Sequence, residues 1–255
     1  MNFFSSRSAA ARYPKGRPYF HPLVIERIRQ FLSLAQPVAR AVDVGCGTGL
    51  SALALKGLAR EVVGVDSSAE MLALAQIDSS VRYAVADALQ LPFREDEFDL
   101  MTLSSAFHWL DRSKFLREAG RVLRARGWLV VYDNYFAGRM EENDAFENWY
   151  RESYLKVYPP PGRSKLFFSE ESSGNEGFNL TGQEQYQNRV SFSITGLVDY
   201  LTTQSNVIAA VEVGGDEEVD RARLWLSENL KPLYGEMSEA TFPFRGPIWY
   251  LQNIS

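Results

Sequence analysis

The sequence predicts a mixed α/β fold, a parallel sheet with helices on both faces. Between residues 41 and 133, short apolar runs alternate with segments whose apolar residues recur at helical spacing. Strand-to-strand crossovers at such short intervals belong to parallel sheets. The first apolar run also ends in a glycine-rich turn, Asp43 to Gly49, set between a strand and a helix. Ligands of open α/β sheets bind at that edge. Finally, 255 residues with 45% apolar and 23% charged side chains fit a single large globular domain over 1–255.

Residues 1–20, rich in Arg, Ser, Pro and aromatics, read as an irregular arm. From His21 to Ala35 the spacing of Val24, Ile28, Phe31, Leu32 and Ala35 predicts a helix, closed by Pro37. Ala41–Val44 is a buried strand, and Leu50–Leu58 is a helix. Glu61–Asp66 is a second strand. Ser67 and Glu70 have the spacing of a capping box, which starts a helix over Ala69–Gln76. Val81–Val85 and Phe98–Ser104 are further strands. A helix from Asp111 to Arg124 turns Phe115, Leu116, Ala119, Val122 and Leu123 inward, Gly127 ends it, and Trp128–Asp133 is the fifth strand.

The rhythm then breaks. Residues 134–190 are dense in aromatics and carry the breaker Pro159-Pro160-Pro161-Gly162, so they read as an insertion that forms a lid. Residues 169–177 are polar and glycine-bearing, a loop signature. Residues 187–194 alternate as a strand, and 197–201 and 216–234 are helical. Residues 248–251 form a last strand, preceded by Pro243 and Pro247, which fit an edge or a strand start.

Several function classes fall away. Twenty-seven basic residues against 32 acidic ones give a net charge of −5, which disfavours a nucleic-acid partner. No apolar stretch reaches the roughly 20 residues of a membrane span, and the N-terminus lacks a secretory pattern. The single cysteine, Cys46, excludes an internal disulfide and points to the reducing cytoplasm. With two histidines and no carboxylate cluster at ligand spacing, no metal site is expected.

Asp43-Val44-Gly45-Cys46-Gly47-Thr48-Gly49 allows a sharp backbone turn and a close approach to a ligand. Asp66, 17 residues after Gly49, ends the next strand, where a carboxylate accepts both ribose hydroxyls. The spacing is G-x-G-x-G. The G-x-G-x-x-G of dinucleotide binders fails because residue 50 is Leu, so a nucleoside ligand without phosphates fits better.

This stretch resembles motif I of the class I S-adenosylmethionine (SAM)-dependent methyltransferases. The resemblance extends to Asp66, to Val85 through Phe93 with Asp87, to Phe98-Asp99-Leu100 through Trp109, and to Arg121-Val122-Leu123. The family's Pro-Gly-Gly turn reads Ala125-Arg126-Gly127 here. Within the superfamily the chain is most similar to trans-aconitate methyltransferase-like proteins. That narrower likeness rests on Tyr13 with Arg17-Pro18-Tyr19, on Ser105 through Trp109, and on Thr195 through Leu201. The resemblance implies a Rossmann-like seven-stranded sheet of order 3-2-1-4-5-7-6, its seventh strand antiparallel. It also implies SAM as cofactor, S-adenosylhomocysteine (SAH) as product, and a cofactor site of Asp43, Gly45, Cys46, Gly47, Gly49, Asp66, Ser67, Met71, Asp87, Ala88, Leu89, Ser104, Ser105, Tyr19 and Arg17.

Asp43 either contacts the ligand's amino group, the preferred reading, or only orders the loop. Cys46 is expected to fill space, because nothing pairs it with a base. His108 is a candidate base or orienter, or else a ring packed beside Trp109. His21 reads as a helix-start residue. His108, Trp109, Tyr13, Tyr135 and Trp149 are the candidate acceptor residues. The expected activity is methyl transfer to a small molecule, preferably at a carboxylate or hydroxyl oxygen, by a monomer or homodimer. Arg17 and Arg139 are candidate anion partners. The alternatives are N- or C-methylation with His108 as base, a SAM-binding partner protein without turnover, and a nicotinamide-dependent oxidoreductase.

Overall fold

The computed structural model describes residues 7–162, 168, 176–212 and 214–254. Its helices are α1 (Arg7–Gly16), α2 (His21–Phe31), α3 (Leu50–Leu55), α4 (Ala69–Leu72), α5 (Arg112–Val122), α6 (Ala145–Trp149), α7 (Leu155–Val157), α8 (Ile194–Leu201), α9 (Ser205–Val211) and α10 (Gly215–Tyr234). Its strands are β1 (Val38–Val44), β2 (Ala59–Asp66), β3 (Val81–Val85), β4 (Phe98–Ser104), β5 (Leu123–Tyr132), β6 (Tyr135–Phe136), β7 (Phe178–Phe192) and β8 (Ala240–Asn253). The chain forms two compact units. The first comprises Met1–Pro18, Tyr135–Gly162 and Gln187–Arg245, and the second Tyr19–Asn134, Arg163–Tyr186 and Gly246–Ser255.

The sheet order is β3-β2-β1-β4-β5-β8-β6, with β7 also paired to β8. Strands β1 to β5 pair in parallel, in registers such as Val42↔Val63, Val42↔Met101 and Thr102↔Val130. Strand β8 runs antiparallel to β5 from Tyr132↔Ile248 to Trp128↔Gln252. The implied order is therefore present, with β8 as its antiparallel member and the two-residue β6 at the edge. Pro247 immediately precedes the β5 ladder, so its missing N–H costs no bond there, while its carbonyl accepts from Asp133 N–H at 3.2 Å.

In the second unit, aliphatic side chains pack on both faces of the sheet, joined on one of them by Phe98, Phe107, Phe115 and Trp249. Val24, Ile28, Leu55, Leu58 and Val62 gather on one, and Val63, Met101, Leu103, Leu116 and Leu129 on the other. The inward positions expected for α5 are all fully buried. The first unit is built differently. Phe146, Trp149, Tyr154, Tyr200, Phe242 and Phe244 pack with Leu226 and Leu230 of α10.

Four local expectations change. The arm is helical over Arg7–Gly16, where Ala9 and Ala10 are buried and Pro14 falls in the last turns. Helix α2 stops at Phe31, and Ser33 at φ +51° reverses the chain. The cap of α4 is Ser68, not Ser67. The Ser68 hydroxyl accepts from Met71 N–H, and the helix is one turn long. Strand β5 begins at Leu123, so Gly127 lies inside it and does not end α5. Of the loop expected over 169–177, only 176 and 177 lie among the described residues.

Candidate cofactor site

The glycine loop takes its shape from backbone conformation. Gly45, Gly47 and Gly49 have φ of +69°, +54° and +81°, a region that disfavours L side chains. Protein atoms fill the space that side chains would need. A Cβ on Gly45 would stand 2.8 Å from the Ala106 Cβ, one on Gly47 3.0 Å from the Met71 methyl, and one on Gly49 against the Tyr83 hydroxyl. The loop thus closes down on β3, α4 and the exit of β4, and its backbone is what it offers to a ligand.

Asp66, at the end of β2, clasps this loop. Its Oδ2 accepts from Gly47 N–H at 2.8 Å, and its Oδ1 from Ser68 N–H at 2.9 Å. Gly45 and Cys46 N–H groups donate to Val65 O just before it. Burial raises the Asp66 carboxyl above its ordinary range, and the amides of Ser68, Gly47 and Ser67 oppose that rise. Three amides leave about one of the carboxylate's four lone-pair sites, so the half-buried carboxylate can also accept a hydroxyl.

Asp43 lies deeper, at 0% exposure. The Ser51 hydroxyl donates to its Oδ2 at 2.5 Å and the Thr102 hydroxyl to its Oδ1 at 2.7 Å. Burial pushes its carboxyl up to about 6. This geometry favours the loop-ordering alternative, because Asp43 ties β1 to α3 and β4 from beneath. Cys46 is buried, its thiol is pushed well up by burial and by the nearby Asp43 and Asp66, and no basic side chain activates it.

Asp87 is exposed. Its Oδ1 accepts from Leu89 N–H at 2.9 Å, which shapes the turn through half-buried Ala88 and Leu89, and Ala86 N–H donates to Asp66 O. Ser104 ends β4, and Ser105 adopts φ +53°, an uncommon conformation for a non-glycine residue. Phe107–Trp109 then form a single 3-10 turn, with His108 nearly buried and its ring 4.7 Å from Trp109. Asp99 stands at the opposite end of β4. It accepts from Arg40 N–H and pairs with Arg124, so it fastens strand starts.

Tyr13, Arg17, Tyr135 and Trp149 belong to the first unit. Arg17 donates to Thr203 O at 2.7 Å and lies over the rings of Tyr13 and Tyr200. Trp149 is buried among Phe146, Tyr154 and Trp225, and Tyr135 is partly exposed on β6. A cavity of about 660 Å³ in this unit is walled by Arg139, Glu141, Asp144, Asn188 and Arg189, and none of the expected acceptor residues lines it. Tyr19 is 53% exposed in the second unit. No group of three metal-ligating side chains occurs among the described residues, and no helix there is long and apolar enough to cross a membrane.

Sequence reasoning missed Ser51, Thr102 and Tyr83, which hold the loop from below, and the buried bond of His21 to Tyr132. The spacing of single hydroxyls along a strand or helix marks none of these, because each contact is made across elements.

Residues 42–131 match the family described as a methyltransferase domain. A Dictyostelium discoideum protein named as a methyltransferase is 24% identical over 208 residues, 80% of this chain and 79% of that one. The demethylmenaquinone methyltransferase of Thermus thermophilus is 41% identical over 110 residues, covering 40% of this chain and half of that one. A structure described as a type II methyltransferase from Anaeromyxobacter dehalogenans covers 90% of this chain and 95% of its own, at 21% identity and a TM-score of 0.65. The Asp66 clasp and its glycine loop lie inside the segment that matches a methyltransferase domain, and the strand order that carries them is a fold shared with methyltransferase structures.

Proposed function

We propose that the chain methylates a small molecule at oxygen, on a carboxylate or a hydroxyl. One observation carries this reading. Across residues 104–110, at the carboxyl end of β4, His108 is the one titratable side chain, and it is nearly buried. A carboxylate acceptor is already ionised at neutral pH and needs no base. A hydroxyl needs one proton removed, which one imidazole serves. Bound SAM supplies an electrophilic methyl on a sulfonium. The residues proposed to hold it are Gly45, Gly47, Gly49, Asp66, Ser67, Met71, Asp87, Ala88, Leu89, Ser104 and Ser105, with Tyr19 closing the site.

The chain's own tasks are to align the acceptor, exclude water and receive a proton where one leaves. Trp109, beside His108, supplies an apolar wall in this reading. The net charge of −5 favours a small acceptor over nucleic acid, and the Thermus relative is named for demethylmenaquinone. The single buried thiol supports a cytoplasmic setting. N- or C-methylation is the second reading, favoured by the same imidazole.

The test is SAH release from SAM across a panel of small carboxylic acids, phenols, amines and quinones, with wild type and His108→Ala. The oxygen reading expects turnover with acids or phenols. It also expects His108→Ala to spare SAH binding, to spare carboxylates and to slow phenols by about a hundredfold, the scale of general-base catalysis. Turnover confined to amines or quinones would move the second reading to first place.

A further inference from the structure

The mechanism makes no use of the one histidine in helix α2. His21 opens that helix, outside the residues of the methyltransferase domain match. Its ring is nearly buried, and Nδ1 lies 3.0 Å from the Tyr132 hydroxyl. Burial depresses the imidazole to about 3, so the ring is neutral at ordinary pH. Phe20 packs 4.2 Å from it and sits edge-on to Tyr132.

Tyr132 ends β5 at 0% exposure, and it grips the exit of β4 twice. The Ser104 side chain hydrogen-bonds its hydroxyl. Its carbonyl accepts from Ser105 N–H at 2.9 Å. Ser105 is the residue held at φ +53°, and the next residue, Ala106, is the one that presses on Gly45. Strain of this kind persists only where surrounding contacts over-determine it. A continuous line of contacts therefore runs from His21 through Tyr132, Ser104 and Ser105 to Ala106 and the glycine loop.

We propose that His21 and Tyr132 are a positioning pair for the cofactor loop: the pair locks the Ser104–Ser105 turn, and that turn fixes Gly45 and its backbone in the SAM-binding arrangement. The inference rests on the cofactor reading and adds to it two buried residues that need not touch SAM. The hydroxyl of Tyr132 has two lone pairs and one proton, so it serves His21 and Ser104 together. Tyr132→Phe removes only that oxygen and leaves the ring packing intact. His21→Leu removes the partner nitrogen. His21→Asn restores a polar atom near Nδ1 that can either donate or accept.

The experiment is calorimetric titration of SAH into the full chain and its variants, with a melting curve for each. Wild-type binding tests the cofactor reading, and the variants test the pair. Tyr132→Phe and His21→Leu should each weaken SAH about tenfold, the order expected when one partner of a buried hydrogen bond is lost. The double variant should bind no more weakly than Tyr132→Phe alone, because His21 acts through the Tyr132 hydroxyl. His21→Asn should bind within about threefold of wild type. Val24→Ala, a packing change on the same helix, should lower the melting temperature and leave SAH affinity unchanged. Wild-type affinity in Tyr132→Phe would overturn the proposal. Additive losses in the double variant, or affinity that tracks melting temperature in Val24→Ala, would overturn it as well. If His21→Leu does not fold, Tyr132→Phe decides alone.

Discussion

Among the described residues, three of the seventeen buried core residues on one face of the second unit's sheet are aromatic, and the rest are almost all small or branched aliphatics. In the core of the first unit, eight of the nineteen described are aromatic, drawn from segments spread between Phe146 and Phe244. The aliphatic core hangs on regular backbone, with parallel ladders and a loop whose φ angles only glycine adopts easily. The aromatic core hangs on ring contacts such as Phe146 with Trp149 at 5.2 Å and with Phe242 at 5.1 Å. A unit built on backbone regularity repeats its pattern along the chain, whereas a unit built on large rings is stable without any repeat.

The sharpest way to break this contrast is to remove one ring. Phe146→Ala should cost about 3–5 kcal/mol, the range for emptying a buried aromatic site, in urea unfolding of the full chain. SAH affinity should stay at the wild-type value in the folded variant. A loss of SAH binding in proportion to stability would show that the two cores are one cooperative unit.

Next in size is Asp43, which is a charge beneath the backbone-built half. Burial holds its carboxyl at about 6, against roughly 4 in an unfolded chain. The folded chain therefore binds this proton more tightly, and this contribution to stability falls as pH rises from 4 through 6. Asp43→Asn removes that cost, worth at most about 3 kcal/mol. Its stability relative to wild type should be greater at pH 8 than at pH 5. A constant difference would mean that the Ser51 and Thr102 bonds keep Asp43 ionised throughout.

Asp66→Ala should weaken SAH by about 1–3 kcal/mol, the scale of unpaired buried polar groups, because it loses the ribose acceptor and frees the Gly47 and Ser68 amides. Unchanged affinity would remove Asp66 from the cofactor site. The smallest effect belongs to Arg126, which holds φ +62° where the family resemblance expects glycine. Arg126→Gly should stabilise the chain by about 1 kcal/mol, the left-handed penalty of a side chain offset by glycine's greater freedom when unfolded. A melting temperature below that of wild type would show that the Arg126 side chain contributes more than its strain.

The same contrast explains what the sequence made legible. Strands β1 to β5 and the glycine loop were readable because their requirements act on single residues, with β-branched side chains in buried ladders and glycine at positive φ. Asp66 was readable by its distance from the loop. Strand β7 was not, before residue 187. Its inward positions include Gly182, which faces the Phe31 ring, and Glu184, which pairs with Arg27 and Tyr250, so the strand alternates in burial but not in hydrophobicity. The cap of α4 was misplaced by one residue because Ser67 and Ser68 are adjacent, and only the contact of the Ser68 hydroxyl with Met71 N–H tells them apart. The Asp43 contacts with Ser51 and Thr102, and the His21 contact with Tyr132, span 8, 59 and 111 residues. No local pattern encodes such distances.

The solitary thiol of Cys46 gives the chain a built-in stopwatch. It sits inside the glycine loop, 5% exposed and held protonated, so a disulfide reagent modifies it only in molecules whose loop has swung open. With one cysteine in the sequence, every labelled molecule records an opening at that one place. The labelling rate then reports how often the loop parts from Asp66, and added SAH slows the clock by the fraction of chains it holds shut.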